Sequence, residues 1–165
     1  MIIVATGTEK FPMDRLPREI DRLIEVGALR SEDVFVQLGS CNYEPKYCPW
    51  KRRLSFGEMH QRTADARLMI AHGGAGTFLL CRSLGTPEIM VPRRAALGEH
   101  VDDHQLEFSR RLTQLNYVTS VENIEDLHDA IKAAPQADAP RYSGDRLLAT
   151  ALETQVSRMN LQRRA

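Results

Sequence analysis

The segment Ile70-Ala71-His72-Gly73-Gly74-Ala75-Gly76-Thr77 is the part of this chain best suited to chemistry. A short apolar run ends in a glycine-rich turn, and a helical pattern follows. Glycine lets the backbone approach a ligand closely, and the first N–H groups of a helix have no intrahelical acceptor. The helix dipole adds roughly half a positive charge at the same point. Such a turn can cradle a diphosphate or a carboxylate. The competing reading is a plain tight turn from strand to helix. No Gly-Lys-Ser/Thr follows, so the segment is not a P-loop. Gly74-Ala75-Gly76 lacks the third glycine of the dinucleotide fingerprint.

A second group lies in Gly98-Glu99-His100-Val101-Asp102-Asp103-His104-Gln105. His100 and His104 would share a helix face, which invites a metal reading. The H-E-x-x-H pattern fails because Val101 stands where the glutamate belongs. The inverted H-x-x-E-H pattern is nearer, with Asp103 for glutamate, but no third ligand is evident downstream. No metal is therefore expected. One alternative is an acidic first helical turn stabilised by the dipole. Another is a set of hydrogen-bonding groups, Asp103, His104 and Gln105, turned towards a polyhydroxylated ligand.

Weaker candidates complete the set. Gly7-Thr8 is a small polar turn after the first apolar run. Arg93 and Arg94 follow a later one, and arginine forks suit phosphates and carboxylates. His60 and His128 fall in helical patterns and read as structural. Cys41, Cys48 and Cys81 match no zinc spacing and have no base beside them, so no thiol nucleophile is argued. Trp50 lines a site or plugs a gap.

The elements that must position these residues are short apolar runs alternating with amphipathic stretches. Strands are expected at 2–5, 34–38, 52–56, 68–71, 88–91 and 117–121. Helices are expected from Asp14 through Leu29, over 57–66, 78–84, 101–115, 124–134 and 144–161, with an Ala/Pro-rich linker at 135–140. Strands separated by helices of this length imply right-handed crossovers and a mostly parallel sheet. The fold class is α/β, a single Rossmann-like domain over 1–134, with the linker and last helix (135–165) packing on it. Ligands of such sheets bind at the C-terminal strand ends, so the loops 6–13, 39–50, 72–77 and 92–104 are the ones that matter.

Composition removes several function classes. The chain has 165 residues, 42% hydrophobic, with 22 basic and 22 acidic side chains. That length suits one domain with a core. Zero net charge argues against electrostatic nucleic-acid binding, and the apolar content against disorder. No run approaches the ~18 apolar residues of a membrane span. The N-terminal MIIVATGTEK lacks a basic region and is not expected to be a signal peptide. Three cysteines, an odd number, fit a reducing cytosol.

The motifs also occur in a recognisable order. Met1-Ile2-Ile3-Val4-Ala5-Thr6-Gly7-Thr8 with Phe11-Pro12-Met13-Asp14-Arg15-Leu16 resembles the opening of small PssE-like and Alg-type glycosyltransferase subunits. His72 to Thr77, Leu84-Gly85-Thr86-Pro87, Met90-Val91-Pro92-Arg93 and Glu99 to Glu107 are similar to the same group. It corresponds to the C-terminal half of MurG-like enzymes, glycosyltransferase family 28 of the GT-B fold. The resemblance covers roughly residues 1–130.

This resemblance implies a domain that binds a UDP-sugar, as substrate and with no cofactor. Gly73, Gly74, Ala75, Gly76 and Thr77 would hold the diphosphate, and Gly7 and Thr8 would close over it. His104 and Gln105 match the segment whose glutamine contacts the donor sugar, with Asp103 and Glu99 beside it. His72 and Glu99 are the candidates for a general base, unless the base lies in a partner. Arg93 or Arg94 would pair a glucuronate carboxylate, while UDP-galactose and UDP-GlcNAc remain open as donors. The family's ribose-binding acidic position, five residues before the Gly-x-Pro turn, is Leu80 here. Either another group holds the ribose or nucleotide affinity is reduced.

A GT-B enzyme needs two Rossmann-like halves, and this length holds one. The implied function is the donor-binding catalytic subunit of a two-subunit inverting enzyme in exopolysaccharide assembly. It would act on a lipid-diphosphate-linked sugar at the cytoplasmic face of the inner membrane, through a membrane-anchored PssD-like subunit. The alternatives are a non-catalytic nucleotide-binding or regulatory subunit of such a complex, and metal-dependent hydrolysis through His100 and His104.

Overall fold

The computed structural model describes residues 1–134. Six strands form one sheet: β1 (Ile2–Ala5), β2 (Val34–Gln37), β3 (Trp50–Lys51), β4 (Leu68–Ala71), β5 (Glu88–Met90) and β6 (Thr119–Ser120). Their order is β3-β2-β1-β4-β5-β6, and every pairing is parallel. The helices are α1 (Arg15–Glu25), α2 (Phe56–Asp65), α3 (Ala75–Leu84), α4 (His104–Gln114) and α5 (Leu127–Ala133). The expected α/β Rossmann-like class is therefore the one observed. The expected linker (135–140) and last helix (144–161) lie outside the described residues.

β1, β2, β4 and β5 are buried along their whole length. That is why they read as continuous apolar runs rather than alternating ones. One sheet face packs with Leu16, Ile20 and Leu23 of α1 and Leu127 and Ile131 of α5 in the main core. The other face carries Ile3, Ala5, Met69 and Ala71, with Cys81 of α3 and Met59 of α2 against them. Phe78, Met90 and Leu112 make a third cluster beneath α4.

Chain order reverses between β1 and β4, so the loops after these two strands diverge and leave a crevice. All six C-terminal strand ends lie on that edge. The 6–14, 72–74 and 91–103 loops therefore meet there, as the parallel sheet requires.

Several element boundaries differ from expectation. β3 is Trp50–Lys51 rather than 52–56. The ladder with β2 fixes it, through Val36 N–H to the Pro49 carbonyl and Leu38 N–H to Lys51. α3 starts at Ala75, three residues early, because the glycine turn itself opens the helix. α4 starts at His104 rather than 101, so His100 sits in the preceding loop and not on a shared helix face. α1 ends at Glu25, and Gly27, at φ +74°, turns the chain before Leu29.

Candidate functional site

The glycine turn has the geometry of an anion cradle. Gly74 is the N-cap of α3, with no side chain capping it. The first intrahelical bond runs from Phe78 N–H to the Gly74 carbonyl. The N–H groups of Ala75, Gly76 and Thr77 are thus left for a ligand. A side chain on Gly76 would meet nothing within 4 Å, so the helix surface at that residue is open.

His72 lies directly beneath. It is 9% exposed, with Nδ1 at 3.4 Å from the Ala5 carbonyl. Nδ1 is assigned the proton on that contact, which leaves Nε2 as an acceptor. Burial, with the Arg93 charge adding to it, pushes the imidazole down to about 4. The ring is therefore neutral near pH 7. A Cβ on Gly7 would come within 2.7 Å of Nε2, and a Cβ on Gly74 would collide with the same atom. The ring is a wedge between the Gly7 and Gly74 loops, and both glycines are needed to seat it. Gly7 also takes φ +84°, which glycine adopts without strain.

Gly7 is fixed from below. Gln37 Nε2 donates to its carbonyl at 3.2 Å and to the Arg52 carbonyl at 2.9 Å. Thr6 Oγ1 donates to the Leu38 carbonyl at 2.6 Å. Thr8, expected at the ligand, is exposed on the open side of this loop.

Arg93 departs from expectation. It is fully buried, and its guanidinium donates to the carbonyls of Phe11 at 2.5 Å, Glu99 at 2.8 Å and Thr6 at 2.6 Å. A guanidinium spread over three main-chain carbonyls is a strut between two loops, and a donor carboxylate could reach it only by breaking that strut. Arg94 is half-buried and makes no side-chain hydrogen bond among the described residues.

Glu99 is also committed elsewhere. Arg15 Nε and Nη2 donate to its two oxygens at 2.8 and 3.2 Å, and Arg94 N–H to one of them at 3.1 Å. Arg15 further donates to the Pro92 carbonyl at 2.7 Å. Glu99 is buried, and the paired Arg15 guanidinium stabilises its ionised form, which weakens it as a proton acceptor. The geometry thus makes Glu99 a loop anchor and leaves it poorly placed as a base.

Gln105, the second residue of α4, is buried, and its Oε1 accepts from Arg93 N–H at 3.3 Å. Its Cβ lies 3.6 Å from where a Gly73 Cβ would stand, so α4 packs directly on the glycine turn. His104 beside it bonds Asp102 through both Nδ1 and its backbone N–H. The His104 bond holds the Asp102 carboxyl below its usual range. Asp103 Oδ1 accepts from Ala95 N–H at 2.8 Å, on the exposed side.

The three cysteines are free and buried. Burial raises all three thiols, Cys48 to about 12, so none is a nucleophile. Trp50 packs half-buried against the main core. Leu80 is half-buried on α3.

Sequence reasoning missed Arg15, Gln37 and the strut role of Arg93. Arg15 and Glu99 stand 84 positions apart, and no local pattern links them.

Residues 1–155 match the model of the glycosyltransferase family 28 C-terminal domain. No curated protein matches the chain by sequence. Among solved structures, the chain is similar to the glycotransferase of kitacinnamycin, at 12% identity and TM-score 0.61 over 84% of this chain and 35% of that one. It is similar to MurG of Acinetobacter baumannii at 17% identity and TM-score 0.55, over 79% of this chain and 40% of that one. A molybdenum cofactor binding protein from Rippkaea orientalis shares the fold at 14% identity and TM-score 0.52, over 80% of this chain and 94% of that one. The chain thus spans 35% and 40% of the two glycosyltransferases' length. Likeness at these identities is likeness of fold.

Proposed function

The chain belongs to the glycosyltransferase family 28 C-terminal domain family, and from that premise we propose that it is the donor-binding half of a two-subunit inverting hexosyltransferase. The carrying observation is the uncapped N-terminus of α3 at the sheet's switch point, with the Ala75, Gly76 and Thr77 N–H groups lacking an intrahelical acceptor and the surface at Gly76 open.

A UDP-sugar binds as substrate, with its diphosphate on the N–H groups of Ala75, Gly76 and Thr77. Gly73 and Gly74 let it approach, and Gly7 and Thr8 flank it. Gln105, steadied by Arg93 N–H, turns its amide towards the sugar hydroxyls, with Asp103 and His104 at the rim. The acceptor hydroxyl attacks the anomeric carbon, its proton passes to a base, and the bond from that carbon to the diphosphate oxygen breaks. The nucleoside diphosphate leaves with inversion. Helix-dipole and N–H stabilisation of the leaving diphosphate is this chain's catalytic contribution.

The base belongs to the partner. Neutral His72 is held down at about 4 by burial and is a weak proton acceptor, and Glu99 is bound by Arg15. That partner is a membrane-anchored, PssD-like subunit. It presents a lipid-diphosphate-linked sugar at the cytoplasmic face of the inner membrane, in exopolysaccharide assembly. No described helix is long and apolar enough to cross a membrane. If the sugar is glucuronate, Arg94 takes its carboxylate. UDP-galactose and UDP-GlcNAc are the neutral alternatives.

Leu80 favours a second reading, a subunit that keeps the fold with weakened nucleotide binding. Calorimetric titration with UDP, UDP-glucuronate, UDP-galactose and UDP-GlcNAc tests both readings. The first expects binding, with one sugar preferred. Absence of binding, alone and with the co-expressed partner, removes it.

A further inference from the structure

His100 and His104 lack a third metal ligand in the sequence pattern, but the fold supplies one. The loop before α4 brings the Asp102 carboxylate alongside the Nδ1 atoms of both imidazoles. One ligand atom from each of His100, Asp102 and His104 lies within 4.8 Å of the other two. Asp102 Oδ1 accepts from His104 Nδ1 and stands 3.4 Å from His100 Nδ1. The two rings meet edge to face at 4.6 Å between centroids.

His100 Nδ1 carries the second observation. It is buried and has no hydrogen-bond partner. A buried imidazole nitrogen without a partner costs free energy, and the ring is held there by Phe11 at 5.6 Å on its other side. Its neighbours in the site remain open, with Asp102 59% and His104 40% exposed.

We propose that His100, Asp102 and His104 form a binding site for one divalent transition-metal ion of the zinc class. In a tetrahedral site with metal–ligand bonds of about 2.1 Å, ligand atoms stand roughly 3.4 Å apart. The His100–Asp102 pair already has that separation. The His104–Asp102 pair must open slightly, which two half-exposed side chains can do. Two imidazoles and one carboxylate select zinc, cobalt or nickel over magnesium or calcium. The site shares His104 with the rim of the proposed donor site, so its occupancy would pin the start of α4 beside the glycine turn.

Cobalt titration of the untagged full chain, followed by the visible absorption of ligated Co2+, tests this. The expected result is one equivalent bound, displaced by Zn2+ and indifferent to Mg2+. Losing a ligand must cost at least what losing a ligand's hydrogen-bond partner does. Asp102→Ala and His100→Ala should each therefore weaken binding by more than about tenfold. His60→Ala, on exposed α2 surface, should leave it unchanged. Asp102 is exposed and its replacement spares the core, so that variant reads the site and not the fold. No cobalt absorption, or absorption that survives both ligand variants, overturns the proposal.

Discussion

Replacing Gly74 with alanine separates a backbone anion cradle from an ordinary turn. Gly74 has φ −77° and ψ 134°, which alanine adopts without strain. Any effect must then come from the added methyl. That methyl collides with His72 Nε2 and lies 2.9 Å from Cε1. His72 cannot simply swing away, because it is wedged between β1 and the Gly7 loop. Overpacking of this kind costs about 1–3 kcal/mol, a fall in Tm of about 2–10 °C for a domain of this size. Relief by moving the turn misaligns the α3 N–H groups. Losing two charge-assisted bonds of about 1.5–3 kcal/mol each weakens UDP by about a hundredfold to ten-thousandfold. Gly76→Ala is the control. Its methyl meets nothing within 4 Å, it keeps its N–H, and alanine suits a helix better than glycine by up to about 1 kcal/mol. Calorimetric titration with UDP and a thermal melt on each variant give the comparison. UDP affinity should collapse in the first variant and stay within about threefold in the second. Equal affinity in both, or equal loss in both, would refute a diphosphate held by main-chain N–H groups.

Four further outcomes follow from the same structure. Leu80→Glu restores an acidic acceptor where the family's ribose contact belongs. It should tighten UDP by about tenfold or more, since a hydrogen bond to a charged group is worth about 1.5–3 kcal/mol; unchanged titrations would remove ribose from that position. Arg93→Ala strips three carbonyls of their donor, two of them buried. Thermal melts should show a loss of about 3 kcal/mol or more, and transfer from charged and neutral donors should fall alike. Arg94→Ala should leave the melt unchanged, and selective loss of UDP-glucuronate binding would identify its carboxylate partner. Glu88 is buried on β5 without a partner, and burial alone raises it to about 8. Between about pH 4.5 and 8 the native state keeps a proton that the unfolded state has lost, so Glu88 makes stability fall as pH rises. His72, lowered to about 4, acts oppositely up to its unfolded value near 6.5. The two trends offset each other below about 6.5, so the decline shows from there to about 8. Urea melts across that range should show it in the wild type and lose it in Glu88→Gln.

Legibility in the sequence followed how local each cause was. β1, β2, β4 and β5 are buried on both faces, so their apolar runs marked them directly. Gly73 to Thr77 announced itself because its conformation is set by its own residues. β3 was misplaced because only its pairing with β2 defines two residues as a strand. Asp14 heads α1 as expected, but its carboxylate holds the Asn42 and Tyr43 N–H groups instead of capping the helix. Arg93 and Glu99 were misread for the same reason. A charged residue in a loop after a strand looks like a ligand contact, and only tertiary structure shows Arg93 reaching the Thr6 and Phe11 carbonyls. His100 and His104 share no helix face because α4 begins only at His104, and their approach to Asp102 is set by the loop before it.

The most direct test of the donor-site account is a crystal structure of the chain soaked or grown with UDP. The account predicts the diphosphate within hydrogen-bond distance of the Ala75, Gly76 and Thr77 N–H groups, with Gly7 flanking it and His72 beneath. UDP bound away from the start of α3, or on side chains with those N–H groups still facing water, would contradict it.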